Sequence, residues 1–252
     1  MTLTPTEQRV YRHFYNKKVF SLNEVNSIVN NYRTSIHVAK GLASKKYAQK
    51  IKGGLYFVVP YEATPDTLNE FQPDKYLIGS RLLKGFLSHH TALEIYNAAS
   101  PDFNRVFITS NIRIPNLSHK DVSYLCIKTK HYFGFKEINY GNQNILISDK
   151  ERTCLDCIRN LNYTNGLNEM FTAIPKLAPL NFDTMLQYLK KINEQSLFSR
   201  TGYIFEHLRN EVMTPNWFLD KLKGYVKNKT YYLDNKLGNN KHVREWRLMV
   251  PV

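Results

Sequence analysis

Apolar and polar positions recur with helical spacing over most of the chain, and the segment 30–46, NNYRTSIHVAKGLASKK, sorts them most sharply. At about 100° per residue, Ile36, Ala39, Leu42 and Ala43 share one side with Ser35. Arg33, His37, Lys40 and Ser44 share the opposite side, which contains no carboxylate. A helix with small residues inward and cations and hydroxyls outward suits a groove lined with phosphates and base edges. An ordinary solvated surface helix has the same pattern, so the flanking sequence decides between the two. Upstream, Thr4-Pro5-Thr6-Glu7 combines a capping hydroxyl, a proline at the first helical position and a glutamate at the third. It predicts a helix with Val10, Tyr11 and Phe14 on one face. Val19-Phe20 predicts a short extended piece, and Ser21-Leu22-Asn23-Glu24 is a second capping box opening a short helix with Leu22, Val25, Ile28 and Val29 inward. Asn30-Asn31 breaks it. Downstream, two strand-like runs, 47–51 and 55–59, are joined by Lys52-Gly53-Gly54, the signature of a tight hairpin.

Helix, short helix, turn, basic helix, hairpin is the order of a winged helix-turn-helix domain over residues 1–60. In that arrangement the third helix enters the major groove and the hairpin tip lies along the backbone of double-stranded DNA. Arg33, His37 and Lys40 are then expected to reach base edges or nearby phosphates. Thr34, Ser44, Lys45, Lys50 and Lys52 are expected to position the DNA backbone. A winged helix used for protein contacts is the alternative, and the cationic outer face disfavours it.

The second half reads as a mixed α/β (α+β) layout. Ser88-His89-His90-Thr91 opens a predicted helix to 99. Strands are predicted at 106–109, 112–114, 122–129, 133–138 and 144–148. Ser148-Asp149-Lys150-Glu151 caps a helix over 150–161, followed by helices at 167–177, 182–193, 199–209 and 215–223, the last capped by Thr214. Strands at 230–233 and 245–250 close the pattern. One central mixed sheet flanked by helices is expected for a domain spanning 81–252, with 61–80 as a linker.

Charge sharpens this picture. The 252 residues carry a net charge of +14, which favours a polyanionic partner. Ten Lys and Arg stand against Glu7 and Glu24 in residues 1–60, whereas 61–74 holds four acids and no base. That shift, around Pro60, Pro65 and Pro73, marks the expected linker. Three cysteines argue against a disulfide scaffold. The absence of a long apolar run or an apolar leader predicts a soluble, cytoplasmic protein with no membrane partner.

Several segments beyond residue 50 carry a further likeness. They are Gly53-Gly54-Leu55-Tyr56-Phe57-Val58, Leu87-Ser88-His89-His90-Thr91-Ala92-Leu93 and Ile147-Ser148-Asp149-Lys150-Glu151-Arg152-Thr153-Cys154-Leu155-Asp156. After them come Arg200-Thr201-Gly202-Tyr203-Ile204-Phe205-Glu206, Tyr232-Leu233-Asp234 and Trp246-Arg247-Leu248. In their order and spacing the chain resembles the AbiEi-like family, the antitoxin and transcriptional-regulator half of abortive-infection toxin–antitoxin systems. The resemblance implies an N-terminal domain that binds operator DNA and represses its own operon. It also implies a larger nuclease-like C-terminal domain without a nuclease site, and a nucleotidyltransferase toxin countered without a stable complex. Stand-alone regulators of this kind are also compatible with the residues.

Enzymatic chemistry finds little support. Cys154-Leu155-Asp156-Cys157 lacks a second pair for zinc, and Cys154, Cys157, Ile158 and Leu161 follow the spacing of a buried helical stripe. Adjacent histidines such as His89-His90 diverge by about 100° on a helix, poor geometry for chelation. Asp102 could supply a first nuclease acid, but the strands after it carry no acid-x-lysine triplet, and Asp234-Asn235-Lys236 is distant. No phosphate-binding loop or nucleophile elbow is present, and no cofactor is implied. Arg152 and Asp156, four apart, read as an intrahelical pair of a few tenths of a kcal/mol. Arg200 and Glu206 read as part of a polar cluster orienting the second domain. From Lys221 to Arg247, eight bases face two acids among Tyr225, Tyr231, Tyr232 and Trp246, a second nucleic-acid surface or a solvated face with its aromatics turned inward. The function read from the sequence is therefore a DNA-binding regulator of the antitoxin type. A nuclease-like enzyme guided by a winged helix and a structured-RNA-binding protein are the alternatives.

Overall fold

The computed structural model describes residues 2–61, 74–82, 84–100, 104–234 and 238–252. Pro65, Pro73, Asp102, Asn235 and Lys236 lie outside them. The protein is mixed α/β, with three separate sheets among the described residues.

The first sixty residues form α1 (Pro5–Tyr15), β1 (Val19–Ser21), α2 (Leu22–Val29), α3 (Tyr32–Ser44), β2 (Ala48–Lys50) and β3 (Leu55–Val58). Both capping boxes form. The Glu7 carboxylate accepts from Thr4 N at 2.7 Å and that of Glu24 from Ser21 N at 2.8 Å, while each hydroxyl accepts from the glutamate's N–H. Asn30 takes a left-handed φ of 56° and ends α2. Strand order is β1-β3-β2, all antiparallel. Gly53 and Gly54, at φ 58° and 79°, turn β2 into β3, angles that cost a residue with a Cβ conformational strain.

This small sheet is buried on both faces. Phe20, Ala48, Tyr56 and Val58 pack with Val10, Phe14, Val25 and Leu42 of the three helices. Val19, Leu55 and Phe57 pack instead against Leu77, Ile78 and the central sheet. Leu77 and Ile78 belong to α4 (Lys75–Leu82), so the last residues of the stretch expected as a linker are helical. The Asp74 carboxylate starts that helix by accepting from the N–H groups of Tyr76 and Leu77 at 2.8 and 3.0 Å. An apolar core thus runs continuously from the first sixty residues into the rest of the chain.

The central sheet contains β4 (Phe86–Leu87), β5 (Arg105–Ser110), β6 (Leu117–His119), β7 (Val122–Lys128), β8 (Phe135–Tyr140) and β9 (Gln143–Ser148), in the order β6-β7-β5-β4-β9-β8. The β5–β7 and β4–β9 pairs are parallel and the others antiparallel. Residues 112–114, expected as a strand, are not one, and Ile112 is exposed. One of the two edge strands is β6, whose Leu-Ser-His sequence is too short and polar to announce itself. Helices α5 (His89–Ile95) and α6 (Lys150–Arg159) cover this sheet, and both are shorter than their apolar patterns suggest.

The remaining core is helical: α7 (Leu167–Lys176), α8 (Phe182–Ile192), α9 (Gln195–His207), α10 (Arg209–Val212) and α11 (Asn216–Lys223). Pro215, not Thr214, sits at the N-cap of α11, with no side-chain capping bond. A last sheet, β10 (Tyr231–Tyr232), β12 (Leu248–Pro251) and β11 (Asn240–Val243) in that order, closes the fold. Trp246 is fully buried, and its Nε1 donates to the Glu206 carboxylate at 2.6 Å. Gly202 leaves the space its ring needs, since a Cβ there would lie 2.0 Å from Cζ3 of the indole. Arg200 Nε donates to the Tyr232 carbonyl at 2.8 Å and its Nη1 to that of Arg159 at 3.2 Å. Arg200 and Glu206 thus tie α9 to the C-terminal segment through separate partners, Tyr232 and Trp246. Among the described residues no helix is long and apolar enough to cross a membrane.

Candidate nucleic-acid interface

Helix α3 owes its position to its N-cap and to α1. The Asn31 side-chain oxygen accepts from Thr34 N at 3.0 Å and from Thr34 Oγ1 at 3.1 Å. Ser35, Val38, Ala39 and Leu42 are buried, so Val38 takes a place on the inner face that Ile36 and Ala43 only partly share. Arg33, His37, Lys40 and Ser44 are all exposed. Spaced by three or four residues, they form one solvent-facing strip about 17 Å long at 1.5 Å per residue. Among the described residues none of Arg33, Lys40, Lys50 and Lys52 makes an ion pair.

The other expected contacts divide. Thr34 is exposed but its hydroxyl is turned to the Asn31 cap, and Ser44 Oγ donates to the Gly41 carbonyl at 3.0 Å. Lys45 is drawn inward: its Nζ lies 2.6 Å from Glu7 Oε2, with its side chain only 20% exposed. Burial pushes the Glu7 carboxyl up, but hydrogen bonds from Lys45 and Thr4 outweigh it and hold the group below its ordinary value. Gly41 makes room for this carboxylate, since a Cβ there would meet Oε1 at 2.0 Å. Lys45 thus clamps the end of α3 to the start of α1. Lys50 closes β2 opposite Tyr56 and is exposed. Lys52, also exposed, lines a cleft between the hairpin tip and Ile114 and Leu117 at the edge of the central sheet. Two further exposed residues border α3 and escaped the sequence reading. Tyr32 is 54% exposed in its first turn, and Lys46 stands just past its end at φ 65°. The aromatic beside Arg33 was the available signal for the first.

In the rest of the chain Ser88, His89, His90, Arg152 and Asp156 are buried. Ser88 Oγ lies 2.9 Å from His89 Nδ1 and 2.7 Å from Thr109 Oγ1. The His89 ring stands edge-on to Tyr163. Burial lowers the His89 pKa to about 4, against the pull of Asp156 and helped by Arg152 and Arg159. Folding therefore disfavours the protonated ring. Its contribution to stability is complete above the ordinary value of about 6.5 and is lost as pH falls from there toward 4. Thermal melting across that interval should show a smaller loss in His89→Gln than in the natural chain. Equal losses would place the acid sensitivity elsewhere.

Arg152 and Asp156 do approach at 2.9 Å, but their side chains are 1% and 2% exposed. The intrahelical pair expected from the spacing forms, but the two charges lie inside the protein, so a few tenths of a kcal/mol understates its weight. Arg152 Nη1 donates to the carbonyls of His131 at 2.8 Å and Phe133 at 3.1 Å, and the guanidinium covers the Phe133 ring. Cys154 and Cys157 are buried and burial raises both thiols, as expected for packing residues. Among the described residues no group of three or more His, Cys, Asp or Glu is placed to hold a metal ion.

No family profile matches the chain, and no curated protein does. Among solved structures, the Rv2827c protein from Mycobacterium tuberculosis matches 99% of this chain and 92% of its own, with a TM-score of 0.64 and 11% identity. The chain shares that protein's fold. At this identity the likeness extends to architecture alone, and it covers the first sixty residues as well as the rest.

Proposed function

We propose that this protein is a cytoplasmic DNA-binding regulator of the antitoxin type. In this reading its first sixty residues act as a winged helix-turn-helix, and its larger part is a nuclease-like α/β domain without a nuclease site. The carrying observation is the outer strip of α3, where Arg33, His37, Lys40 and Ser44 face solvent and Arg33 and Lys40 make no ion pair among the described residues. The order of three helices followed by a two-glycine hairpin supports the same reading, as does the excess of cations in this part of the chain. Double-stranded operator DNA is the proposed partner. The resemblance to AbiEi-like antitoxins supplies a nucleotidyltransferase toxin as the functional counterpart, without a stable complex between the two.

Binding to duplexes from the protein's own upstream region and to random duplexes tests this. Lys50→Ala and Lys52→Ala should weaken both alike, because phosphate contacts carry no sequence information. Arg33→Ala should narrow the gap between the two by roughly 1–3 kcal/mol if it reads a base; equal losses on both duplexes would remove it from base readout. Lys45→Ala provides the contrast. It should leave DNA affinity within about twofold while lowering stability by about 1 kcal/mol, the scale of a partly buried charge-assisted bond. A Lys45 variant as weak on DNA as Lys40→Ala would mean that Glu7 releases this lysine to the phosphates.

A further inference from the structure

The cleft that receives Lys52 has the makings of a ligand site. Its volume is about 320 Å³, and it lies between the hairpin tip, α4 and the β6 edge of the central sheet. Ligand pockets favour such junctions and combine apolar walls with a few polar groups. Leu55 contributes one wall from the hairpin, and Leu82 of α4, Ile114, Pro115 and Leu117 of β6 the others. Two cations border it, and they are not equivalent. Arg81 is engaged on both sides, 3.3 Å from the Glu24 carboxylate and donating to Gln143 Oε1 at 3.0 Å. Lys52 makes no ion pair among the described residues. The chemistry on offer is therefore one available ammonium at the mouth of an aliphatic cleft.

We propose that this cleft binds a small amphipathic monoanion, an aliphatic carboxylate whose chain lies against Leu55, Ile114 and Leu117 and whose carboxylate pairs with Lys52. At about 30 Å³ per water-sized volume the space suits a ligand of roughly ten to fifteen non-hydrogen atoms. A cation of the same length is disfavoured by Lys52. A neutral alcohol keeps the apolar contacts and loses the charge-assisted hydrogen bond.

Isothermal titration of the full chain with decanoate, decanol and decylammonium, without DNA, tests the site independently of the nucleic-acid reading. The expected result is one decanoate per chain, bound about tenfold more tightly than decanol, with no heat from decylammonium. Lys52→Glu, at an exposed side chain, should abolish the preference for decanoate over decanol. Leu117→Trp, which fills the cleft, should abolish binding of both. Should that variant fail to fold, Ile114→Lys on the rim serves instead and should remove decanol binding. No decanoate binding at millimolar concentration, decylammonium bound as well as decanoate, or decanoate affinity unchanged in Lys52→Glu would each overturn the proposal.

Discussion

Arg152→Ala is expected to lower the free energy of unfolding by about 3–5 kcal/mol, the cost of leaving one partner of a buried ion pair behind. The guanidinium does three things at once in α6. It faces Asp156 at 2.9 Å, it satisfies the carbonyls of His131 and Phe133, and it covers the Phe133 ring. Alanine strands the Asp156 carboxylate, of which Oδ2 already lacks a hydrogen bond. It also leaves two carbonyls without their donor. Urea denaturation of the natural chain and the variant measures this directly. The double variant Arg152→Met with Asp156→Leu should recover most of the loss, because apolar replacement of a whole buried pair is often neutral. A loss of only a few tenths of a kcal/mol for Arg152→Ala would return the pair to the status of an exposed i,i+4 contact.

The second large effect concerns the outer strip of α3. The double variant Arg33→Ala with Lys40→Ala should lose at least about thirtyfold in affinity for duplexes from the upstream region, two charge contacts at roughly 1–3 kcal/mol each. Both side chains are exposed and neither makes an ion pair among the described residues, so the melting temperature should stay nearly constant. That combination separates an interface from a structural face. Affinity unchanged with both cations gone would mean that α3 does not meet the nucleic acid. Charge reversal at Lys50 provides a graded companion, since a single exposed phosphate contact should cost less than the pair on α3.

The parts of this account that were legible in the sequence are those fixed by neighbours in the chain. Thr4 with Glu7, and Ser21 with Glu24, define helix starts within four residues. The glycine pair specifies its turn without help, and the sorting of Arg33, His37 and Lys40 away from Ala39 and Leu42 follows from helix geometry alone. What was hidden depends on packing between distant segments. Lys40 on α3 and Lys45 at its C-cap are the same residue type, and only the docking of α1 brings Glu7 to the second. Val19, Leu55 and Phe57 sit in apolar runs that are hydrophobic on both faces, so nothing local shows that one face meets α4. Arg152 and Asp156 keep the same spacing whether water or the protein interior surrounds them. Strands as short as β4 and β6 leave no period to read.

The central claim is that the cationic side of α3 and its hairpin neutralise DNA phosphates, and counterion release makes this measurable. Fluorescence anisotropy of the full chain on duplex DNA across roughly 50 to 200 mM salt should show affinity falling steeply and linearly on logarithmic axes, by about a thousandfold for six phosphate contacts. Each cation removed at a phosphate contact should flatten the slope by about one. An affinity indifferent to salt, or a slope identical in the natural chain and in a variant lacking Arg33, Lys40 and Lys50, would contradict the account.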